Sequence, residues 1–127
     1  MTSHSGVNEQ TLGGLPAAAV IPAFNEEKTI GNVVRTLVSS GFFDEVIVIS
    51  DGSSDRTVDV AKEAGATLVH EMPKNSGKGA AMGHGVMHTD LPVICFFDAD
   101  LKGLTTEHAR LILDPVVHGK RYVPPTP

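Results

Sequence analysis

The chain has one cysteine, Cys95, in 127 residues, so no intrachain disulfide can staple it and no second thiol can complete a thiolate metal site. Cys95 lies inside the apolar run Val93-Ile94-Cys95-Phe96-Phe97, which predicts a buried, inert thiol. No apolar run approaches the ~20 residues that cross a bilayer as a helix. The first dozen residues lack the basic-then-apolar order of a secretory signal, and a cytoplasmic protein is expected. No block of lysine or arginine is present and the formal net charge is -5; nucleic-acid phosphates and anionic membrane surfaces therefore have no electrostatic footprint to meet.

Three catalytic signatures are also missing. Ser53 and Ser54 sit in no Gly-x-Ser-x-Gly elbow. Gly77-Lys78-Gly79 lacks the upstream glycine and the following Ser or Thr of a P-loop. His84 and His88 share a helical face, but no Glu stands where a His-Glu-x-x-His zinc site needs it, so they read as surface or packing residues.

With 41% hydrophobic and 20% charged residues, the composition is that of a globular chain able to bury a core. A flexible leader is expected over residues 1–15, one α/β domain over 16–120 and a proline-rich tail over 121–127. Within the domain, short β-rich apolar runs alternate with segments of helical period, the pattern of βαβ units on a parallel sheet. Strands are predicted at 18–21, 45–49, 67–70 and 93–97. The helix after the first strand carries Ile30, Val33, Val34, Leu37 and Val38 on one stripe and closes at Gly41. A second helix is predicted from an Asp55 cap to Ala64, ended by Gly65. A third spans 78–88, where Ala80, Ala81, Gly83 and Gly85 permit close packing on the sheet. A last helix is expected from 105 or 106 to 117, shortened or kinked by Pro115.

In an open parallel sheet, ligands bind beyond the carboxyl ends of the strands, where loop backbone and helix N-termini converge. That rule gathers Pro22 to Glu27, Ser50 to Asp55, Lys74 to Gly79 and Asp98 to Leu101 on one edge. Asp98 and Asp100 are hard oxygen donors suited to Mg²⁺ or Mn²⁺; they reach one ligand given a turn at Asp-Ala-Asp, and equally fit a strand-end turn without a ligand. Asp51 stands four residues ahead of its helix, too far to be a simple cap, and is a candidate acceptor for a nucleobase N–H. Asn25 reads as an N-cap with Glu26 and Glu27 in the first helical turn. Lys78 at a helix N-terminus opposes the helix dipole, which points to a compensating ligand anion there.

Taken in order, four segments resemble the family 2 glycosyltransferases, whose fold is GT-A. They are Val20-Ile21-Pro22-Ala23-Phe24-Asn25-Glu26-Glu27, Val46-Ile47-Val48-Ile49-Ser50-Asp51-Gly52-Ser53-Ser54-Asp55, Asn75-Ser76-Gly77-Lys78-Gly79 and Phe97-Asp98-Ala99-Asp100-Leu101. The resemblance implies a Rossmann-like parallel sheet and transfer of a sugar from a UDP- or GDP-linked donor with Mg²⁺ or Mn²⁺ on the diphosphate. It implies that Pro22, Ala23, Phe24 and Glu26 line the nucleoside and that Asp51 accepts from the base. It further puts Lys78 near the nucleotide and makes Asp98 and Asp100 the Asp-x-Asp site, with Asp100 the direct metal ligand and Asp98 nearer the ribose or a metal-bound water. Ser50 stands where the family often has a first aspartate of a pair. The family's acceptor half follows Asp-x-Asp, so the tail at 121–127 reads as its truncated start, no general base is assigned, and a homo-oligomer is expected. The missing half also motivates the alternative of a non-catalytic nucleotide-sugar-binding or assembly module. The run Asp100-Leu101-Lys102-Gly103-Leu104-Thr105 is similar to that of glucosyl-3-phosphoglycerate synthases and of polyprenyl-phosphate glycosyltransferases.

Overall fold

A computed structural model describes residues 15–101. The leader up to residue 14, the helix expected over 105–117 with its Pro115 kink, and the tail at 121–127 lie outside the described residues. Seven elements follow one another: β1 (Ala17–Ala23), α1 (Ile30–Ser40), β2 (Glu45–Ser50), α2 (Thr57–Glu63), β3 (Leu68–Glu71), α3 (Lys78–Met87) and β4 (Val93–Phe96). The strands form one parallel sheet in the order β3-β2-β1-β4. The expected α/β parallel sheet is thus what forms.

Strand periodicity sorts the core into two layers. Ala17, Ala19, Ile21 and Ala23 of β1 join Val46 and Val48 of β2 on the face covered by α1 and α2. Their neighbours Ala18, Val20, Ile47 and Ile49 point the other way, against Ala81 of α3. Both faces of β1 and β2 are covered, which explains why these strands are continuously apolar rather than alternating. Ile21, Ile30, Leu37 and Ile47 are fully buried, each burial contributing about 1.5–3 kcal/mol.

The α1 stripe buries Ile30, Val33, Val34 and Leu37, but Val38 is 43% exposed. Eight residues beyond Ile30, at about 100° per residue, it lies roughly 80° round the helix, past the margin of the buried face. Gly41 then ends the helix in the left-handed conformation (φ 76°) that glycine adopts without penalty. Cys95 is half-buried and burial pushes its thiol pKa up, in keeping with an unreactive thiol. No helix among the described residues is long and apolar enough to cross a membrane.

The sheet order has a consequence for function. Chain progression from β1 through β2 to β3 runs one way, then returns across β1 to place β4 on its other side. A same-handed crossover in the opposite direction puts α3 on the opposite face from α1 and α2, and a crevice opens between β1 and β4 at their carboxyl ends. Pro22 widens it. The Ala23 carbonyl accepts the Asp51 N–H from the β2 side, while the Val20 carbonyl accepts the Phe97 N–H from the β4 side. Pro22, alternate to Ala23, faces the β4 side beyond the last β1–β4 pair, Val20 with Phe96. Its missing N–H therefore costs the sheet no bond.

Two glycines of α3 separate packing from helix propensity. A Cβ on Gly85 would lie 2.2 Å from Val20 Cγ1, whereas one on Gly83 meets nothing within 4 Å. Replacing either by Ala gains up to ~1 kcal/mol of helix propensity, but at residue 85 overpacking against a stiff, buried valine costs about 1–3 kcal/mol. We expect Gly83→Ala to raise, and Gly85→Ala to lower, the urea midpoint of unfolding.

Candidate functional site

A cleft of about 430 Å³ opens at the carboxyl edge of the sheet, at the β1/β4 switch point. Pro22, Ala23, Phe24, Glu26, Asp51, Lys78, Asp98 and Asp100, singled out from the sequence, all line it, joined by Asn75, Gly77, Ala81 and Ala99.

Asp51 is the best-anchored polar group of the cleft and is only 4% exposed. Its Oδ1 accepts the Ser76 N–H at 2.7 Å and its Oδ2 the Gly77 N–H at 2.9 Å. The Asn75 amide adds bonds to Oδ2 at 3.2 Å and to the Asp51 carbonyl at 3.1 Å. A buried carboxylate is costly unless hydrogen-bonded, and charge-assisted bonds to backbone N–H groups repay the cost. Asp51 thus does cap backbone, but in the segment leading into α3 and not in its own loop. The fit is close: Gly52 has φ 75°, and a Cβ there would lie 2.6 Å from the Asn75 nitrogen. Gly52 N–H is taken by Glu71 Oε2 at 2.7 Å. Asn75 belongs to a ligand-edge segment and motif recognised in the sequence, but no role of its own was assigned to it there; its position before Ser-Gly and a helix start was the available signal.

The loops after β1 and β2 are laced together, which corrects two readings and extends a third. Asn25 does not cap α1. It adopts φ 53°, and its Oδ1 accepts the N–H groups of Ser54 (2.8 Å) and Asp55 (3.4 Å) across the cleft edge. Glu26 and Glu27 precede α1, whose first turn holds no acid. Their N–H groups go instead to Thr57 Oγ1 (2.8 Å) and Asp55 Oδ2 (3.3 Å), and Glu27 Oε1 accepts the Arg56 N–H at 2.9 Å. Asp55 stands one residue before the cap position of α2, which begins at Thr57 and ends at Glu63; it accepts the Thr57 N–H at 2.9 Å and also the Thr57 hydroxyl. Each cross-loop bond sets a side-chain oxygen of one loop on an otherwise unsatisfied backbone N–H of the other, near a helix start. Ser50 is fully buried and donates to Ser53 Oγ at 2.8 Å, which in turn accepts the Asn25 N–H at 3.0 Å.

Past β4 the chain turns, with the Leu101 N–H on the Asp98 carbonyl at 3.3 Å. The expected turn is present, and burial alternates through it. Phe97 and Ala99 go into the core, Phe97 edge-on to Phe43 with ring centroids 5.5 Å apart. Asp98 and Asp100 are left exposed on the cleft. Lys78, the first residue of α3, forms an ion pair with Asp98; where a ligand anion was expected, the chain's own carboxylate stands. His84 and His88 stack with His70, at 5.8 and 4.9 Å between ring centroids, a packing cluster outside the cleft lining.

Sequence comparison decides the kinship of this site. Residues 18–103 match the profile of Glycosyl transferase family 2. The chain belongs to that family. Glucosyl-3-phosphoglycerate synthase of Mycolicibacterium smegmatis is 38% identical over 101 residues, covering 73% of this chain and 33% of the relative. The 4,4'-diaponeurosporenoate glycosyltransferase of Staphylococcus aureus is 35% identical over 99 residues, covering 75% and 26%. The chain therefore spans about a third or less of these curated relatives. Glucosyl-3-phosphoglycerate synthase from Mycobacterium tuberculosis, solved with Mn²⁺, uridine diphosphate and glucosyl-3-phosphoglycerate, superposes with a TM-score of 0.75 at 30% identity, over 84% of this chain and 41% of that one. The same enzyme with Mn²⁺, UDP-glucose and phosphoglyceric acid also gives 0.75, at 29% identity, over 94% and 45%. These GT-A-like neighbours share the four-stranded parallel sheet with its flanking helices.

In the family 2 loops of this chain, Asp55 has a lowered pKa. Burial opposes ionisation of Asp55, but bonds from the Thr57 hydroxyl and the Thr57 and Glu27 N–H groups outweigh it and hold the pKa below 3.8. A depressed carboxylate pKa contributes stability that is full above the unfolded value of about 3.9 and is lost as the pH falls from there through the folded value. We expect Asp55→Asn to flatten the acid limb of a melting-temperature profile below about pH 4 relative to the unmodified chain.

Proposed function

We propose that this chain is the donor-binding part of a glycosyltransferase that takes a nucleoside-diphosphate sugar, with UDP favoured as the nucleotide, together with Mg²⁺ or Mn²⁺. One observation carries the proposal: the cleft at the strand-order switch brings together an aromatic face, an anchored acid, a lysine and two exposed acids. The relatives solved with uridine diphosphate and Mn²⁺ or Mg²⁺ support it.

The residues fit such a ligand in chemical terms. Phe24, 47% exposed, offers a ring to a planar base, with Pro22, Ala23 and Glu26 around it. The Asp51 carboxylate has about four acceptor positions; Ser76, Gly77 and Asn75 take three, leaving one for a base N–H. Among the described residues no cluster of three or more His, Cys, Asp or Glu is arranged to hold a metal ion. Asp98 and Asp100 provide hard carboxylate oxygens only, which matches an ion that keeps waters and completes its shell with phosphate oxygens. When bound, the ion would neutralise charge developing on the departing nucleoside diphosphate. Asp100, outside the Lys78 pair, would be its direct ligand, and Asp98 would hold the ribose or a metal-bound water. We assign no general base to the described residues, and the sugar acceptor is left open.

Calorimetric titration of the chain with UDP, UDP-glucose and GDP-mannose, with and without Mn²⁺, tests the proposal. The expected result is Mn²⁺-dependent binding, strongest for the uridine ligands and weakened about tenfold or more by Asp100→Asn, a loss of at least ~1.4 kcal/mol. Absence of binding to every nucleotide with Mn²⁺ present would overturn it.

A further inference from the structure

Lys78 is placed against its own helix. It opens α3, a ten-residue helix with no acid in its first turn, so the ammonium meets the positive end of the helix dipole. A lysine side chain so placed is expected to be free in solvent unless something anionic holds it. Here Asp98 holds it, although both side chains are more than half exposed, 65% and 53%. Exposed pairs of this kind add little to stability and are screened by salt, so the contact is weak enough to exchange. Its position is what matters, since Lys78, Asp98 and Asp100 all line one cleft.

We propose that Lys78 is a stand-in cation: its ammonium holds Asp98 while the cleft is empty, and on donor binding Asp98 exchanges it for the hydrated divalent ion, held through a metal-bound water, as Lys78 turns to the diphosphate oxygens. This inference rests on the donor-site reading above. The exchange balances in charge. Two carboxylates and one ammonium leave one net negative charge among these three side chains, and a divalent cation arriving with a dianionic sugar diphosphate adds none. A divalent cation arriving alone must displace or approach an ammonium with no anion to receive it, which is unfavourable. Lys78 thereby disfavours the bare ion and favours the ion together with a diphosphate, coupling the two binding events in the thermodynamic sense.

The two halves of the exchange predict opposite signs for one substitution. Mn²⁺ alone is titrated into the chain with free Mn²⁺ followed by electron paramagnetic resonance, and UDP is then titrated by calorimetry at saturating Mn²⁺. Lys78→Met is expected to bind Mn²⁺ alone roughly three- to fivefold tighter than the unmodified chain, the worth of one exposed ion pair, and to bind UDP at least about fivefold more weakly. Lys78→Arg, which keeps the charge, is expected to bind Mn²⁺ no tighter than the unmodified chain. Lys74→Met, which removes the same charge from the neighbouring loop, is expected to change Mn²⁺ affinity by less than about twofold. An unchanged or weaker Mn²⁺ affinity in Lys78→Met, or an equal gain in Lys74→Met, would overturn the exchange while leaving the donor site standing. Failure of the unmodified chain to bind UDP with Mn²⁺ would instead overturn the donor site itself.

Discussion

A single buried carboxylate organises the functional edge of this molecule. Asp51 follows β2 inside the protein, where an unsatisfied charge is expensive, and among the described residues it is satisfied by the backbone N–H groups of Ser76 and Gly77 and by the Asn75 amide. Those bonds fix where the loop before α3 lies, hence where Lys78 starts its helix and which carboxylate its side chain meets. Gly52 is the steric condition for this arrangement, because the turn after Asp51 packs against the same loop with no space for a Cβ. The anchor of the site is therefore polar, while the sheet beneath it is held by apolar burial.

A second constraint comes from topology. Reversal of strand order at β1 leaves the carboxyl ends of β1 and β4 unfilled, and Pro22 removes a donor just where no partner strand remains to want one. The walls of the resulting cleft are stiffened by the lacing of residues 25–27 to 53–57, in which Asn25 adopts a left-handed conformation that few side chains tolerate. Asn25 gains from it a carboxamide oxygen set on two N–H groups of the neighbouring loop. Such strain is consistent with a site whose geometry is fixed before ligand arrives.

Much of this was legible before any coordinates. Apolar runs of strand length marked β1, β2 and β4, the stripe from Ile30 to Leu37 marked α1, and the rule that ligands gather at carboxyl ends of parallel strands collected the residues that do line one cleft. What escaped was every interaction between loops. Asn25 is a residue type that caps helices, and composition gives no means of telling a cap on its own helix from a bond to another loop about thirty residues away; Asp55 does both, one oxygen on Thr57 of its own helix and the other on Glu27. The partner of Lys78 escaped for the same reason: a helix-start lysine signals a missing anion, and only the fold shows Asp98 supplying it. Val38 was misplaced because a hydrophobic stripe defines its centre better than its margin.

Membership of glycosyl transferase family 2 rests on residues 18–103, the span containing both the sheet and the loops that Asp51 ties together. The claim that this one carboxylate sets the loop before α3 is open to a direct reading by amide hydrogen exchange. In the unmodified chain the Ser76 and Gly77 amides should be protected despite their exposed side of the molecule. In Asp51→Asn, whose side chain turns an acceptor into a donor at one position, they should exchange at least about tenfold faster while the core amides of Val48 and Ile49 hold their rates. Equal protection of Ser76 and Gly77 in the two proteins would contradict the account.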